Sequence, residues 1–129
     1  MDSSTTLTDA HIAYLLTQRL GRLATIAADG TPQNNPVGFK INKILGTLDI
    51  RGYNLGASRK FRNVEKNPEV AFVVDDIASL DPWQVRGVEI RGTAEAVRDV
   101  DTGPGTSREL IRIHPRRVFA WGLDATGGQ

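Results

Sequence analysis

The sequence predicts a mainly β fold, an antiparallel barrel carrying a few short helices. Three observations predict it. Five or six short segments alternate apolar and polar residues. An Asp29-Gly30 pair sits between two of them as a hairpin signal. Helical spacing appears only in brief stretches, which suits helices placed at the ends of a barrel.

In chain order, residues 1–7 are polar and expected to be loose. Thr8 is a candidate N-cap, and Asp9 suits a first helical turn. Ile12, Leu15, Leu16 and Leu20 follow at helical spacing, with Gly21 in the place of a C-cap. Residues 22–28 read as a strand, and residues 32–41 as its return, with Val37, Phe39 and Ile41 on one face. Pro32 and Pro36 confine the early part of that return to an edge or a bulge. Asn42-Lys43 reads as a turn, and Leu48 and Ile50 mark a third strand.

A loop over residues 52–57 leads to a short helix, Ser58 to Lys66, capped by Ser58 and stopped by Asn67-Pro68. Val70, Phe72 and Val74 lie on one face of a fourth strand, and residues 75–82 read as an exposed connection. The segment from Val85 to Val97 reads as a long strand in which Gly92 suggests a bulge or bend. A Gly-Pro-Gly loop at 103–105, a short helix at 107–113, a last strand at 118–123 and a Gly-rich tail complete the chain. With no repeat and no linker, residues 1–129 are expected to form one domain with flexible tails at 1–7 and 125–129.

The 129 residues are 40% apolar and 24% charged, with a net charge of +1. That balance gives no bulk attraction to nucleic acid or membrane, so an anion site must come from local clustering. There is no cysteine, which excludes disulfides, thiolate nucleophiles and Cys-ligated metals. No apolar run approaches the ~20 residues that span a bilayer. The start has no signal-peptide pattern, and the reading is of a cytoplasmic protein.

The informative segment runs from Gly56 through Ser58, Arg59 and Lys60. A helix start offers unpaired N–H groups and the positive end of the dipole, so it attracts anions. Arg59 and Lys60 stand in its first turn, where cations are disfavoured by roughly 0.3–1 kcal/mol each. A bound phosphate reverses that penalty. A solvated basic helix with an ordinary serine cap is the rival reading. Gly52 and Gly56 would let the backbone approach a ligand, and Tyr53 could stack or hydrogen-bond there.

Other candidates are weaker. His11 and His114 have no ligand at metal spacing. Asp75 and Asp76 adjoin, so in a strand they would point to opposite faces, and they form no dyad. The nucleophile elbow and the dinucleotide fingerprint are both absent. Trp83 and Trp121 read as core or interface residues; Trp121, beside Arg116 and Arg117, suits a subunit interface that touches a ligand.

Several blocks together resemble the pyridoxamine-phosphate-oxidase-like split β-barrel (FMN-binding-like) superfamily over residues 8–124. They are Arg22-Leu23-Ala24-Thr25-Ile26, Asn35-Pro36-Val37-Gly38-Phe39, the Ser58-Arg59-Lys60 block with Asn63, Asn67 and Pro68, residues 86–94, and residues 118–122. The ending from Ile113 to Leu123 is similar to the actinobacterial branch that uses the deazaflavin coenzyme F-420, and within it to a dehydrotetracycline-reductase-like subgroup. The resemblance implies a homodimer with cofactor sites at the subunit interface. It implies that Ser58, Arg59 and Lys60 hold the cofactor phosphate, with Arg51 and Tyr53 flanking it. Asn35, Pro36, Val37 and Gly38 would line the ring through their backbone, and Trp121 would reach in from the other subunit. The function it implies is hydride transfer from reduced deazaflavin to a C=C or C=N bond of a small organic substrate. An FMN-dependent oxidoreductase of the same fold, or a non-catalytic flavin- or haem-binding module, are the alternatives. The Arg-x-His pattern that binds pyridoxal phosphate near the C-terminus of the true oxidase is not evident, so that activity is not expected.

Overall fold

A computed structural model describes residues 2–124 of the chain. The expected C-terminal tail, 125–129, lies outside the described residues. Eight strands form one antiparallel sheet. They are β1 (Asp2–Ser4), β2 (Leu20–Ile26), β3 (Pro32–Gly38), β4 (Lys40–Asn42), β5 (Thr47–Ile50), β6 (Glu69–Leu80), β7 (Trp83–Arg98) and β8 (Glu109–Trp121). Helix α1 (Asp9–Leu15) precedes β2, and helix α2 (Arg59–Lys66) follows a single 3-10 turn at Leu55–Ala57. The sheet order is β3-β2-β6-β7-β8-β5-β4. On the edge of β8 that β7 leaves free, β5 pairs with residues 111–113 and β1 with residues 118–120.

Local chemistry explains the turns and caps. At the β2–β3 hairpin, the Thr31 N–H and hydroxyl donate to Asp29 Oδ1 at 3.1 and 2.6 Å, and Gly30 adopts φ 85°. Thr8 caps α1, where the His11 N–H donates to Thr8 Oγ1 and the Thr8 N–H donates to His11 Nδ1. Strand β3, with its two prolines, lies at the edge of the sheet as the sequence required. Phe61, Phe72, Leu15, Leu23, Leu48, Ile50, Ile90, Ile111 and Ile113 fill the core and are fully buried.

Five expectations are corrected. Helix α1 ends at Leu15, and Gly21 is a β2 residue. A Cβ on Gly21 would lie 2.2 Å from the Phe72 ring, so the glycine makes room for an aromatic core residue. Residues 2–4, expected to be loose, pair with β8. The return strand breaks at Phe39 into β3 and β4, and that ring meets Phe72 edge to face at 5.4 Å. Residues 75–80 continue β6 rather than forming a loop, because their carboxylates are engaged. Asp76 accepts from Arg86 Nε at 2.8 Å and from the Tyr14 hydroxyl at 2.9 Å, while Asp75 pairs with Arg22. Residues 109–113 are strand and not helix, since Ile111 and Ile113 are buried between β7 and β5. Packing on both sides overrides a weak helical pattern.

The expected irregularity at Gly92 is a register shift, in which Arg91 faces Arg117 and Gly92 faces Pro115. A Cβ at Gly92 would sit 2.0 Å from the His114 carbonyl oxygen. Gly92→Ala therefore has to move backbone, and it should cost about 1–3 kcal/mol, read as a lower urea midpoint.

Asp76 carries a pH signature. The Arg86 hydrogen bonds, helped by Tyr14 and opposed by burial, hold its carboxyl below the usual range. A lowered folded pKa adds stability above the unfolded value, which is lost as pH falls through about 4 and below. Denaturation curves over this interval should show a shallower acid slope for Asp76→Asn, together with lower stability at neutral pH.

Candidate cofactor site

Helix α2 starts where the sequence placed it. Ser58 is its N-cap, and its Oγ accepts the Phe61 N–H at 3.3 Å while its hydroxyl donates to the Leu55 carbonyl at 2.6 Å. The Arg59 and Lys60 N–H groups occupy the first two helical positions, which have no intrahelical acceptor. Both side chains therefore carry their charge beside open amide donors. The four preceding amides are already used, those of Ala57 and Ser58 on the Asn54 and Leu55 carbonyls. The Gly56 N–H donates to Glu109 Oε1 at 2.9 Å, and the Leu55 N–H to Ser107 Oγ at 3.0 Å. An anion can thus be gripped by the Arg59 and Lys60 amides but not at Gly56, Ala57 or Ser58, whose N–H groups are taken. The Ser107 hydroxyl, and then the Gly56 N–H, hold the Glu109 carboxyl below its ordinary range.

A hydrogen-bonded chain ties this helix to β3. Thr25 and Gln33 face each other across the β2–β3 ladder. The Asn63 amide donates to Thr25 Oγ1 and to Gln33 Oε1, both at 3.0 Å. Gln33 in turn donates to Asn35 Oδ1 at 2.9 Å. Asn63 and Thr25 are buried, so this polar chain crosses the end of the core. Phe61 anchors α2 beside it, with the Arg98 guanidinium over its ring at 4.8 Å and bonded to Glu65 at 3.0 Å.

The predicted site residues fall into separate groups within one chain. Arg59 lines an open groove with Asp29, Thr31 and Arg62, beside the β2–β3 turn. Gly38, Arg51 and Tyr53 line another, of about 590 Å³, with Arg19 and Phe39. There the Arg51 guanidinium donates to the Thr102 carbonyl at 2.5 Å, and Tyr53 is 90% exposed. Asn35, Pro36 and Val37 lie on β3, where Val37 is buried, Asn35 half-buried and Pro36 exposed. As an edge strand, β3 leaves one side of its backbone free of sheet partners.

Trp121 is apart from all of these. It faces Gly87 across the β7–β8 ladder, and a Cβ on Gly87 would meet its ring at 2.5 Å. From Gly87 to Arg98, beside α2, is about 36 Å of strand at ~3.3 Å per residue. Trp121 cannot reach the start of its own α2.

The profile of the pyridoxamine 5'-phosphate oxidase family matches residues 7–122. The chain belongs to this family. It is 51% identical to a 5a,11a-dehydrotetracycline/5a,11a-dehydrooxytetracycline reductase of Streptomyces rimosus, over 91% of this chain and 84% of the relative. Among solved structures, a conserved hypothetical protein from Mycobacterium tuberculosis superposes with TM-score 0.71 at 26% identity, covering 92% of this chain and 87% of the other. An F-420 reductase superposes with TM-score 0.61 at 25% identity, covering 78% of this chain and 89% of the other. The split-barrel fold and the oxidoreductase class read from the sequence are those of its relatives.

Sequence reasoning missed the roles of Asn63, Thr25, Gln33 and Glu109. Asn63 was visible only as part of its block, because its partners lie 38 and 30 positions away. Glu109 lies within the segment expected to be a short helix. Asn63→Leu leaves Thr25 and Gln33 without their shared donor. Each buried polar group so orphaned costs about 1–3 kcal/mol. The variant should unfold at lower denaturant, and Asn63→Asp should restore little because it removes the donor.

Proposed function

We propose that the protein is a deazaflavin-dependent reductase that works as a homodimer. The observation that carries this is the start of α2: two open N–H groups, a serine cap and two cations, joined through Asn63 to the strand that would face the cofactor ring. Ser58, Arg59 and Lys60 would hold the cofactor phosphate. The likeness to a dehydrotetracycline reductase supports turnover, and that to an F-420 reductase supports coenzyme F-420 over FMN. When bound, the reduced deazaflavin would supply a hydride for an activated C=C or C=N bond.

The chain's own residues bind, orient and shield. Arg59 offers a planar fork and Lys60 a point charge to the phosphate. The free backbone edge at Asn35, Pro36, Val37 and Gly38 would meet the ring. Arg51 and Tyr53 share a groove with Gly38, so we assign them to the ring and its approach more than to the phosphate.

The outward face of β6–β8 supports the homodimer. Beyond Asp75 and Gly87, β6 and β7 pair only with each other, and Ile77, Leu80, Trp83 and Val85 stand exposed there. Ile77 faces Val85 and Leu80 faces Trp83 across this ribbon, next to the Trp121 ring over Gly87. An isolated two-stranded ribbon is marginally stable in water, and a second copy would cover this face. The same contact would bring Trp121 to the partner's cofactor.

The test is a titration of the purified protein with coenzyme F-420 and FMN side by side. Deazaflavin should bind more tightly, and reversing both charges, Arg59→Glu with Lys60→Glu, should weaken it by more than tenfold, about 1.4 kcal/mol. A change within about threefold would place the phosphate elsewhere. Tighter FMN binding would overturn the deazaflavin assignment.

A further inference from the structure

A third groove, of about 710 Å³, lies between the end of α1 and the β4–β5 hairpin, within the size range of small-molecule sites. Leu16, Ile41, Ile44 and Leu110 give it an apolar wall. Leu16 and Ile44 are 61% and 96% exposed, an arrangement that costs solvation unless something covers it. A neighbouring hollow shares Leu16, Ile41, Asn42 and Lys43 and adds Leu7 and Ile12, so the apolar wall continues along α1. Single exposed apolar residues are common on surfaces, but these converge on one concave strip.

The rim is cationic. Lys40, Lys43, Arg51 and Arg112 line the groove against two carboxylates, Asp49 and Asp101. Arg112 neutralises Asp49 through a forked pair at 3.1 and 3.2 Å. Asp101 accepts the Gly103 N–H at 3.0 Å. Arg51 is steadied by the Thr102 carbonyl, and among the described residues Lys40 and Lys43 make no ion pair. Two long cations are therefore available beside an apolar wall.

Asp49 and Arg51 also line the groove that holds Gly38. A molecule in the strip would abut the end of β3, where the cofactor ring is proposed to lie. We propose that this strip binds the substrate, and that the substrate is a largely apolar organic acid whose anionic group meets Lys40 and Lys43. This deepens the proposed function by naming the substrate class, and it rests on that reading for the word substrate alone.

The test uses anthraquinone-2-carboxylate and the neutral anthraquinone-2-carboxamide as probes, titrated into the full chain without cofactor. The acid should bind about tenfold more tightly than the amide. Lys40→Glu with Lys43→Glu should erase that preference, and the milder Lys→Gln pair should reduce it. Leu16→Asp should weaken both probes. Equal binding of acid and amide, or a preference that survives the charge reversal, would overturn the proposal. Displacement of the acid by coenzyme F-420 would also overturn it, by giving the two lysines to acid groups of the cofactor itself. The deazaflavin titration of the unaltered protein is read separately. Its failure removes the proposed function and leaves the acid preference to stand or fall alone.

Discussion

The contact on which the site depends is the meeting of α2 with the open end of the sheet. Phe61 places the helix in the core, and Asn63 fixes its rotation by donating to both members of the Thr25–Gln33 pair. A helix of eight residues has little stability of its own, so this docking makes it a rigid element. Rigidity matters because an anion site made of amide donors works only if the donors are held before the anion arrives. The same bonds fix Gln33, and through it Asn35. One short helix thus sets the spacing between the proposed phosphate end of the site and the strand proposed to face the ring.

The start of α2 carries an internal tension. Arg59 and Lys60 stand at the dipole end that disfavours cations, and Glu109 sits close by on the Gly56 N–H. The carboxylate satisfies a loop amide, and the cation that acts on it is Arg98. It also withdraws that amide from any ligand. The cradle is therefore smaller than the glycine-rich approach suggests. Binding would come from two helical amides and two side-chain cations, and less from the loop, because the Ser58 hydroxyl already donates to the Leu55 carbonyl.

Much of this was legible in the sequence, and the illegible part has a common cause. Ser58, Asn67 and Pro68 bound α2 by local rules, and Asp29-Gly30 with the two prolines of β3 fixed a hairpin at the sheet edge. Local chemistry decides such features. The misread segments were those where a distant partner decides. Gly21 reads as a helix stop until the Phe72 ring is seen against it. Asp75 and Asp76 read as loop until Arg22, Arg86 and Tyr14 engage them. Residues 109–113 read as helix until two neighbouring strands bury Ile111 and Ile113. The site follows the same division. The Ser58-capped helix start is local and was visible, whereas the Asn63 chain and Glu109 depend on contacts between distant segments.

The distribution of site residues also argues for two copies. Ser58 and Trp121 stand at opposite ends of the long β7–β8 ladder, too far apart to share a ligand within one chain. The face around Trp121 is apolar where a solvated antiparallel sheet is ordinarily polar. A two-fold axis midway along the β7–β8 ladder, between the two ends, would set the Trp121 end of one copy against the α2 end of the other, since a symmetric contact returns every interaction in pairs. Covering the ribbon and completing the site are then one event. On the proposed dimer, the surface that the ribbon has to bury is the same surface that carries Trp121.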